Sequence, residues 1–261
     1  YAVDHPGTMR ARVREALANR APMIIVGGGD GSLSSTIDDF IGSDTVFAIL
    51  PLGTANSFAK TLGIPADIDQ AIDVIANGVR KRIDLGFVDR DYFANAAAMG
   101  MSPLIAETVP PKLKKYLGMA GYMVWALRVA FKFRPFRLVV DDGKTVHKIW
   151  ATEARIANGS HHGGVELIES AKLDSGVIVV QAVTGKSVFG LAWSWFSVLF
   201  KLRSRKLTVT EFRGPKFHLQ ARPQQRISVD GELSAKTPVT VGVARDAVVV
   251  AAPREALAEA G

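Results

Sequence analysis

A glycine-rich turn follows directly on a short apolar run near the start of the chain. Met23–Val26 is apolar and leads into the run Gly27–Ser32, which predicts a buried strand entering a tight turn. Ser32–Phe40 then has helical character. Because glycine tolerates positive φ and leaves N–H groups bare, such a turn before a helix suits an anion. Asp30 repels a phosphate, which suggests a Mg²⁺ or ribose contact; a purely structural turn is the alternative.

A second loop of the same kind comes after the next strand. Val46–Leu50 predicts a buried strand, and Pro51-Leu52-Gly53-Thr54-Ala55-Asn56 links it to a helix over Asn56–Leu62. Loops at the ends of neighbouring parallel strands converge on one crevice, where open α/β sheets bind ligands. Neither loop contains the P-loop or the Rossmann pattern. The two loops together therefore predict a ligand crevice of another type.

The spacing of the apolar runs predicts an α/β domain with a parallel sheet, followed by a β-rich, antiparallel, sandwich-like domain. We expect the first domain to cover residues 1–88, with 245–261 returning to it, and the second to cover 89–244. Helices are predicted in the first domain over Asn56–Leu62 and Ile68–Ala76, and in the second over 113–133 and 187–202. The strands predicted for the second domain are Leu138–Val140, Thr152–Ile156, Val177–Val183, Leu207–Phe212, Lys216–Leu219, Arg226–Val229, Val239–Val243 and Val248–Ala251.

The net charge of +7 is unevenly distributed. Residues 108–140 and 175–210 contain no acid but hold 12 of the 32 bases. Such patches attract polyanions, and the apolar residues among them favour an anionic membrane over nucleic acid, for which no recognition motif is present. The segment 187–202 carries Trp193, Trp195, Phe196 and Phe200. It is either an interfacial helix or a core helix with a basic end. No cysteine and no signal-peptide pattern are present.

Five motifs in a fixed order resemble the diacylglycerol kinase and sphingosine kinase type of lipid kinase. The first two are the glycine loops already described. The others are Arg82-Ile83-Asp84-Leu85-Gly86 with Tyr92–Ala96, then Ala157-Asn158-Gly159 with Lys172–Gly176, and last Ile227–Glu232, which contains Asp230-Gly231-Glu232. The first motif alone is shared with NAD kinases and phosphofructokinases. The ordered set is far more specific and runs through nearly the whole chain.

The resemblance implies an NAD kinase-like two-domain fold, ATP and Mg²⁺ as cofactors, and a role for each matching residue. Asp230 is implied as the general base that activates a lipid hydroxyl, and Glu232 as a contact on the Mg²⁺–nucleotide side. Asp174 is implied in a Mg²⁺ loop. The nucleotide-binding residues implied are Gly27, Gly28, Gly29, Asp30, Gly31, Ser32, Gly53, Thr54 and Asn56.

Several positions depart from the family pattern or have a simpler explanation. Ser57 and Ser175 stand where the family often has an acid, and the family's opening Asn-Pro-x-x-Gly segment is not found, which predicts a shortened first domain. Asp230-Gly231 is also the usual two-residue turn of a β-hairpin, and Asp174 suits an ordinary polar turn. His161-His162 lacks an evident third metal ligand.

We therefore expect an ATP-dependent lipid kinase that acts on diacylglycerol or a sphingoid-type or ceramide-like lipid. The expected partners are a membrane lipid and an anionic membrane surface, with no nucleic acid; a homodimer is left open. The expected location is cytoplasmic, at the inner face of the membrane. The alternatives are a soluble NAD kinase-like enzyme with a polar acceptor, and a catalytically weak nucleotide- or lipid-binding homologue.

Overall fold

The computed structural model divides into two compact units, between which the chain passes four times. Unit 1 contains residues 1–96, 157–177 and 243–261, and unit 2 contains residues 97–156 and 178–242. The residues described by the structure are 2, 6–110, 113, 121, 124–130, 132–162, 165–166, 168, 171–185 and 209–254.

The helices and strands follow one another in an order that changes from mixed to mostly β. In chain order they are α1 (Pro6–Ala18), β1 (Met23–Gly28), α2 (Asp30–Ile37), a 3₁₀ turn (Asp38–Phe40), β2 (Val46–Pro51), α3 (Ser57–Thr61), α4 (Ile68–Asn77), β3 (Val79–Val88), β4 (Asp91–Phe93), β5 (Ala96–Gly100), α5 (Met101–Thr108), β6 (Phe136–Asp141), β7 (Val146–Ala157), β8 (His161–His162), β9 (Val165–Glu166), β10 (Ile178–Thr184), β11 (Val209–Gly214), β12 (Lys216–Arg222), β13 (Arg226–Val229), β14 (Glu232–Lys236) and β15 (Val239–Ala252).

Unit 1 is built on parallel strands with helices packed against them. β1 pairs in parallel with β2 over its whole length, and the last part of β15 pairs in parallel with the other side of β2, with Val250 opposite Phe47. Phe47 also packs edge-on against Phe40, with ring centroids 4.7 Å apart, and lies beside Phe58. These aromatic side chains are fully buried, so the apolar runs of the sequence form the core of this unit.

Unit 1 also contains a segment that the sequence assigned to the second domain. Residues 157–177 lie with residues 84–95, because the Asn158 N–H donates to the Asn95 carbonyl at 2.9 Å and the Asp84 N–H donates to the Leu173 carbonyl at 2.6 Å. The observed division therefore differs from the expected boundary at residue 88. The two hydrogen bonds that place residues 157–177 in unit 1 join residues about 60 to 90 positions apart in sequence. Local sequence patterns do not reveal such distant pairs.

Asp38, the first residue of the 3₁₀ turn that follows α2, is a partly buried carboxyl group of unit 1. Burial raises the pKa of Asp38 to about 6, opposed by the charge of Arg10 and reinforced by Asp39 and Asp91. One of its oxygens, Oδ1, is buried without a hydrogen-bond partner in the described structure. The neighbouring Asp39, held by hydrogen bonds from Arg10 and Arg14, has a lowered pKa despite its partial burial.

Unit 2 is made of antiparallel strands. The pairs β6–β7, β6–β12, β10–β11, β13–β14 and β13–β5 are all antiparallel. Along β12 the residues alternate strictly between exposed and buried, as expected for a strand with one face on the core. The predicted fold class, an α/β domain with a parallel sheet and a β-rich antiparallel domain, is confirmed.

Two predictions about elements in the C-terminal half have different outcomes. The strands expected at Val239–Val243 and Val248–Ala251 belong to one element, β15, whose first part pairs with β12 and whose last part pairs with β2. Between these parts Asp246 has a left-handed backbone, with φ 49°. The helix expected over 187–202 and the bases 201–206 lie outside the described residues. Of the helix expected over 113–133, residues 124–130 are helical. Within the described chain, no helix is long and apolar enough to cross a membrane.

Candidate functional site

Both glycine loops of unit 1 leave the same edge of the sheet. β1 and β2 run in parallel and in register to their ends, so that Gly28 lies opposite Pro51. The Leu52 N–H donates to the Gly28 carbonyl at 3.0 Å, which extends the pairing into the loops. The convergence expected from the sequence is therefore present within this unit.

The two loops touch each other through Gly29 and Gly53. A methyl group placed on Gly53 would lie 2.4 Å from the Gly29 Cα, and one on Gly29 would lie 3.1 Å from the Gly53 Cα. The expected reason for glycine in the first loop was a positive φ, and this is wrong: Gly29 has φ −94°, and no glycine of the Gly27–Gly31 run lies in the left-handed region. Glycine is needed there because two backbones approach closely.

Asp30 joins the first loop to the second. Its two carboxylate oxygens accept the backbone N–H groups of Ser57 and Phe58, each at 3.0 Å. These N–H groups begin α3, so the carboxylate caps that helix and favours its positive end. Both carboxylate oxygens therefore have a structural role, and the contact with Mg²⁺ or ribose suggested by the sequence stays a prediction.

Asn56 shapes the second loop from inside. It has a left-handed backbone, with φ 49°, and its buried side chain accepts the Gly53 N–H at 2.9 Å and donates to the Gly53 carbonyl at 2.9 Å. The side chain also reaches the Pro51 carbonyl. Gly53 and Thr54 are exposed at the tip of this loop. Asn56 thus positions the loop, while the tip is accessible to a ligand.

The first turn of α2 has the properties of an anion site. The first hydrogen bond of this helix runs from the Leu33 N–H to the Gly29 carbonyl, so the N–H groups of Asp30, Gly31 and Ser32 precede the helical ladder. Gly31 is exposed, and a methyl group placed on it would meet no atom within 4 Å. These backbone donors lie at the positive end of the helix dipole beside the exposed Gly31, which suits a phosphate group.

In unit 2, Asp230 and Gly231 form the turn of the β13–β14 hairpin. Val229 pairs with Glu232, and the two turn residues have φ 44° and 97°, as in a type I′ turn. Asp230 is partly exposed and Glu232 is exposed. The simpler interpretation of the Asp-Gly pair as a hairpin turn is thus correct in geometry, and the catalytic roles of Asp230 and Glu232 stay predictions.

The expected metal site at Asp174 does not fit the surrounding side chains. The Asp174 carboxylate lies 2.6 Å from the ammonium group of Lys81, which already supplies a positive charge. The described part of the chain contains no group of three or more His, Cys, Asp or Glu side chains arranged to hold a metal ion. His161 instead pairs through Nδ1 with the Ser160 hydroxyl at 3.0 Å. The polar turn is the interpretation that the contacts of Asp174 support.

Two residues within the quoted motifs have structural roles that the sequence did not reveal. The buried carboxylate of Asp84 accepts the N–H groups of Gly176 at 2.7 Å and Asp246 at 2.9 Å. Asn158 donates to the carbonyls of Asp84 and Ala94, and its Oδ1 has no partner in the described structure. A charged residue between apolar residues of a strand, as in Ile83-Asp84-Leu85, is the sequence signal that could have indicated the structural role of Asp84.

Comparison with protein families identifies both parts of the chain. The diacylglycerol kinase catalytic domain matches residues 1–88, and the YegS C-terminal NAD kinase beta sandwich-like domain matches residues 95–252. The chain belongs to the diacylglycerol kinase and YegS-like lipid kinase family. It is therefore a member of a family of enzymes, and the resemblance and the NAD kinase-like fold inferred from its sequence are confirmed.

Individual relatives agree with this family assignment. A Klebsiella pneumoniae protein named "Probable lipid kinase YegS-like" is 31% identical over 86% of this chain and 76% of its own length. A diacylglycerol kinase of Staphylococcus epidermidis is 26% identical over 91% of this chain and 76% of its own length. Another protein named "Probable lipid kinase YegS-like", from Shewanella frigidimarina, is 28% identical, and the present chain covers 60% of its length.

A solved structure shows the same fold. The crystal structure of a diacylglycerol kinase from Bacillus anthracis superposes with a TM-score of 0.73 at 18% identity, covering 96% of this chain and 83% of that one. The match extends over nearly the whole lipid kinase chain described here, so both units have the architecture of the family.

Proposed function

We propose that this member of the lipid kinase family transfers the γ-phosphoryl group of ATP to a hydroxyl group of a membrane lipid. The observation that supports it best is the open first turn of α2 between two touching glycine loops, in a chain whose two parts match lipid kinase domains. ATP phosphates would be bound by backbone N–H groups of Asp30, Gly31 and Ser32 and by the exposed tip at Gly53 and Thr54.

The acceptor hydroxyl needs a base, and Asp230 is the proposed one. As the hydroxyl oxygen bonds to the γ-phosphorus, the bond to the β-phosphate oxygen breaks, ADP leaves, and the hydroxyl proton passes to the Asp230 carboxylate. Mg²⁺ would enter with ATP and neutralise charge on its phosphates. Glu232 is proposed to contact the Mg²⁺–nucleotide complex. The residues of unit 1 contribute positioning, because phosphoryl transfer depends mainly on geometry and charge.

Replacing Gly31 by alanine tests the phosphate site. The methyl group would meet no protein atom, and φ at Gly31 is not positive, so the fold should be kept or slightly stabilised. The same methyl group would stand where a phosphate is proposed. We expect ATP affinity, measured by calorimetry, to fall by about tenfold or more, which corresponds to about 1.4 kcal/mol.

Gly7→Ala is the matched control for this test. Gly7 is also an exposed helical glycine, in α1, with no atom within 4 Å of an added methyl group. The control should change stability in the same direction as Gly31→Ala and leave ATP affinity unaltered. An unchanged ATP affinity in Gly31→Ala would remove the first turn of α2 from the site.

The helical residues 124–130 offer a surface suited to a membrane. Val124 and Leu127 are 63% and 57% exposed and lie one helical turn apart. Arg128 within this segment and Lys132 just beyond it are also exposed. The neighbouring Ala126 and Trp125 pack inward against Met101 and Ile105. An apolar pair flanked by bases fits the surface of an anionic bilayer, where the proposed lipid acceptor resides.

The double substitution Val124→Ser and Leu127→Ser tests this surface. Both side chains are exposed, so we expect the fold to persist while the affinity for anionic vesicles, measured by co-sedimentation, drops by about tenfold or more, since burying each apolar side chain contributes about 1.5–3 kcal/mol. Ile68→Ser with Ile72→Ser is the control, because this pair is 49% and 50% exposed on α4. If both double variants bind vesicles like wild type, the 124–130 segment does not dock on the membrane.

A soluble enzyme of the NAD kinase type is the alternative that shares the glycine loop. The lipid kinase and the NAD kinase proposals are distinguished by incubating the full-length protein with radiolabelled ATP and either lipid alcohols or NAD. Label extracted into the organic phase with a lipid supports the proposed function. Label transferred only to the dinucleotide would replace it with the alternative.

A further inference from the structure

Protein groups provide hydrogen-bond partners for several polar atoms of the turn over residues 172–177 of unit 1. Ser175 Oγ donates to the Lys172 carbonyl at 2.9 Å and lies 3.3 Å from the Val177 carbonyl oxygen. The Gly176 carbonyl accepts from Arg245 at 3.3 Å. Together with the Asp84 N–H, which donates to the Leu173 carbonyl, these contacts give the carbonyl oxygens of Lys172, Leu173 and Gly176 donors from the chain itself.

The acids next to the turn are also engaged. The Asp174 carboxylate pairs with the Lys81 ammonium group on β3 at 2.6 Å, and both side chains are less than one-third exposed. The buried Asp84 carboxylate accepts the N–H of Gly176 and that of Asp246. A hard cation such as Mg²⁺ needs about six oxygen ligands in octahedral arrangement, and it would here stand beside an ammonium group.

We propose that Lys81 and Ser175 hold the 172–177 turn in place of a divalent cation, so that folding of this chain is independent of Mg²⁺. The ammonium group supplies the positive charge for Asp174, and the serine hydroxyl donates to the Lys172 carbonyl oxygen, which closes the turn. The proposed reaction then requires Mg²⁺ only as the ion bound to the phosphates of the nucleotide. The proposal concerns stability and stands whether or not the proposed kinase activity is found.

Thermal unfolding of the full-length protein without nucleotide tests the proposal. We expect the same Tm in EDTA and in MgCl₂ at matched ionic strength. A metal ion that binds only the folded state raises Tm in proportion to the logarithm of its concentration. A rise of several degrees with Mg²⁺, absent with the matched sodium salt, would overturn the proposal.

Variants of the two residues make the test specific. Lys81→Met keeps the length of the side chain and removes its charge, leaving Asp174 unpaired. We expect a Tm a few degrees below that of Lys144→Met, which removes an exposed lysine of the β6–β7 connection. Equal Tm values for these two variants would show that Lys81 does not hold the turn.

The same measurement on Ser175 variants covers the case in which Lys81→Met fails to fold. Ser175→Ala should lower Tm equally in EDTA and in MgCl₂, because the lost hydrogen bond is independent of metal. Lys81→Met combined with Ser175→Asp restores two acids without the ammonium group, and its Tm should rise with Mg²⁺. A wild-type Tm in Ser175→Ala, or no response to Mg²⁺ in a folded double variant, would contradict the proposed exchange of metal for lysine and serine.

Discussion

Asp230→Asn is expected to lower kcat by about 10²- to 10⁴-fold, the usual contribution of a general base. Asparagine keeps the size of the side chain and tolerates the left-handed backbone of this position, φ 44°, and Asn-Gly is itself a favoured type I′ turn. The hairpin should therefore form normally. The variant side chain cannot take a proton from the acceptor hydroxyl, so the loss should appear in turnover and not in ATP affinity.

The measurement compares single-turnover and steady-state rates of the purified full-length protein with a lipid that the wild type phosphorylates. Asp142→Asn is the matched control, because Asp142 also precedes a glycine in a hairpin connection of unit 2. It should keep the wild-type rate. Glu232→Gln is expected to raise KM for Mg–ATP in addition to lowering kcat, since its proposed partner is the nucleotide. A near-wild-type kcat in Asp230→Asn would show that Asp230 is not the general base and that the Asp-Gly-Glu sequence serves only to form the hairpin.

Asp84→Ala should cause the largest loss of stability among the substitutions considered. Asp84 is 4% exposed and its carboxylate accepts two backbone N–H groups, which would lose their acceptor: that of Gly176 in a buried bond and that of Asp246 in a partly buried one. Removing such an acceptor costs about 1–3 kcal/mol for each donor, so the free energy of unfolding should fall by roughly 3 kcal/mol. For a chain of this size, that corresponds to a Tm decrease of about 6–12 °C.

Thermal and urea unfolding of Asp84→Ala and Asp69→Ala make this comparison. Asp69 is exposed in the first turn of α4, where its loss should change the free energy of unfolding by less than about 0.5 kcal/mol. Asp84→Asn should fall between wild type and alanine, because one oxygen remains to accept one N–H group. If Asp84→Ala unfolds at the temperature of the Asp69 variant, these backbone donors have other acceptors and Asp84 does not anchor the turn.

Local sequence patterns predicted much of the two units. The elements β1, α2, β2, α3 and α4 and most strands of unit 2 were expected within a few residues, because apolar periodicity and glycine or proline boundaries are local signals. Helix α1 was not expected, since Pro6–Ala18 has four charged residues and Val13 is the one buried apolar side chain among those described in it. Its contacts come from the tertiary fold, as in the pairing of Arg10 with Asp39.

Some features of the candidate site were likewise predictable from local sequence, and others were set by tertiary contacts. The sequence alone determined that two glycine loops follow parallel strands, that Asp230-Gly231 turns a hairpin, and that the ordered motifs are those of a lipid kinase family. Only the tertiary structure decided that Asp30 caps α3, that Gly29 is required by the approach of Gly53, and that Asp174 faces Lys81. These outcomes depend on groups 24 to 93 residues apart in the chain, and a local pattern carries no information about which distant donor, backbone or charge a side chain will meet.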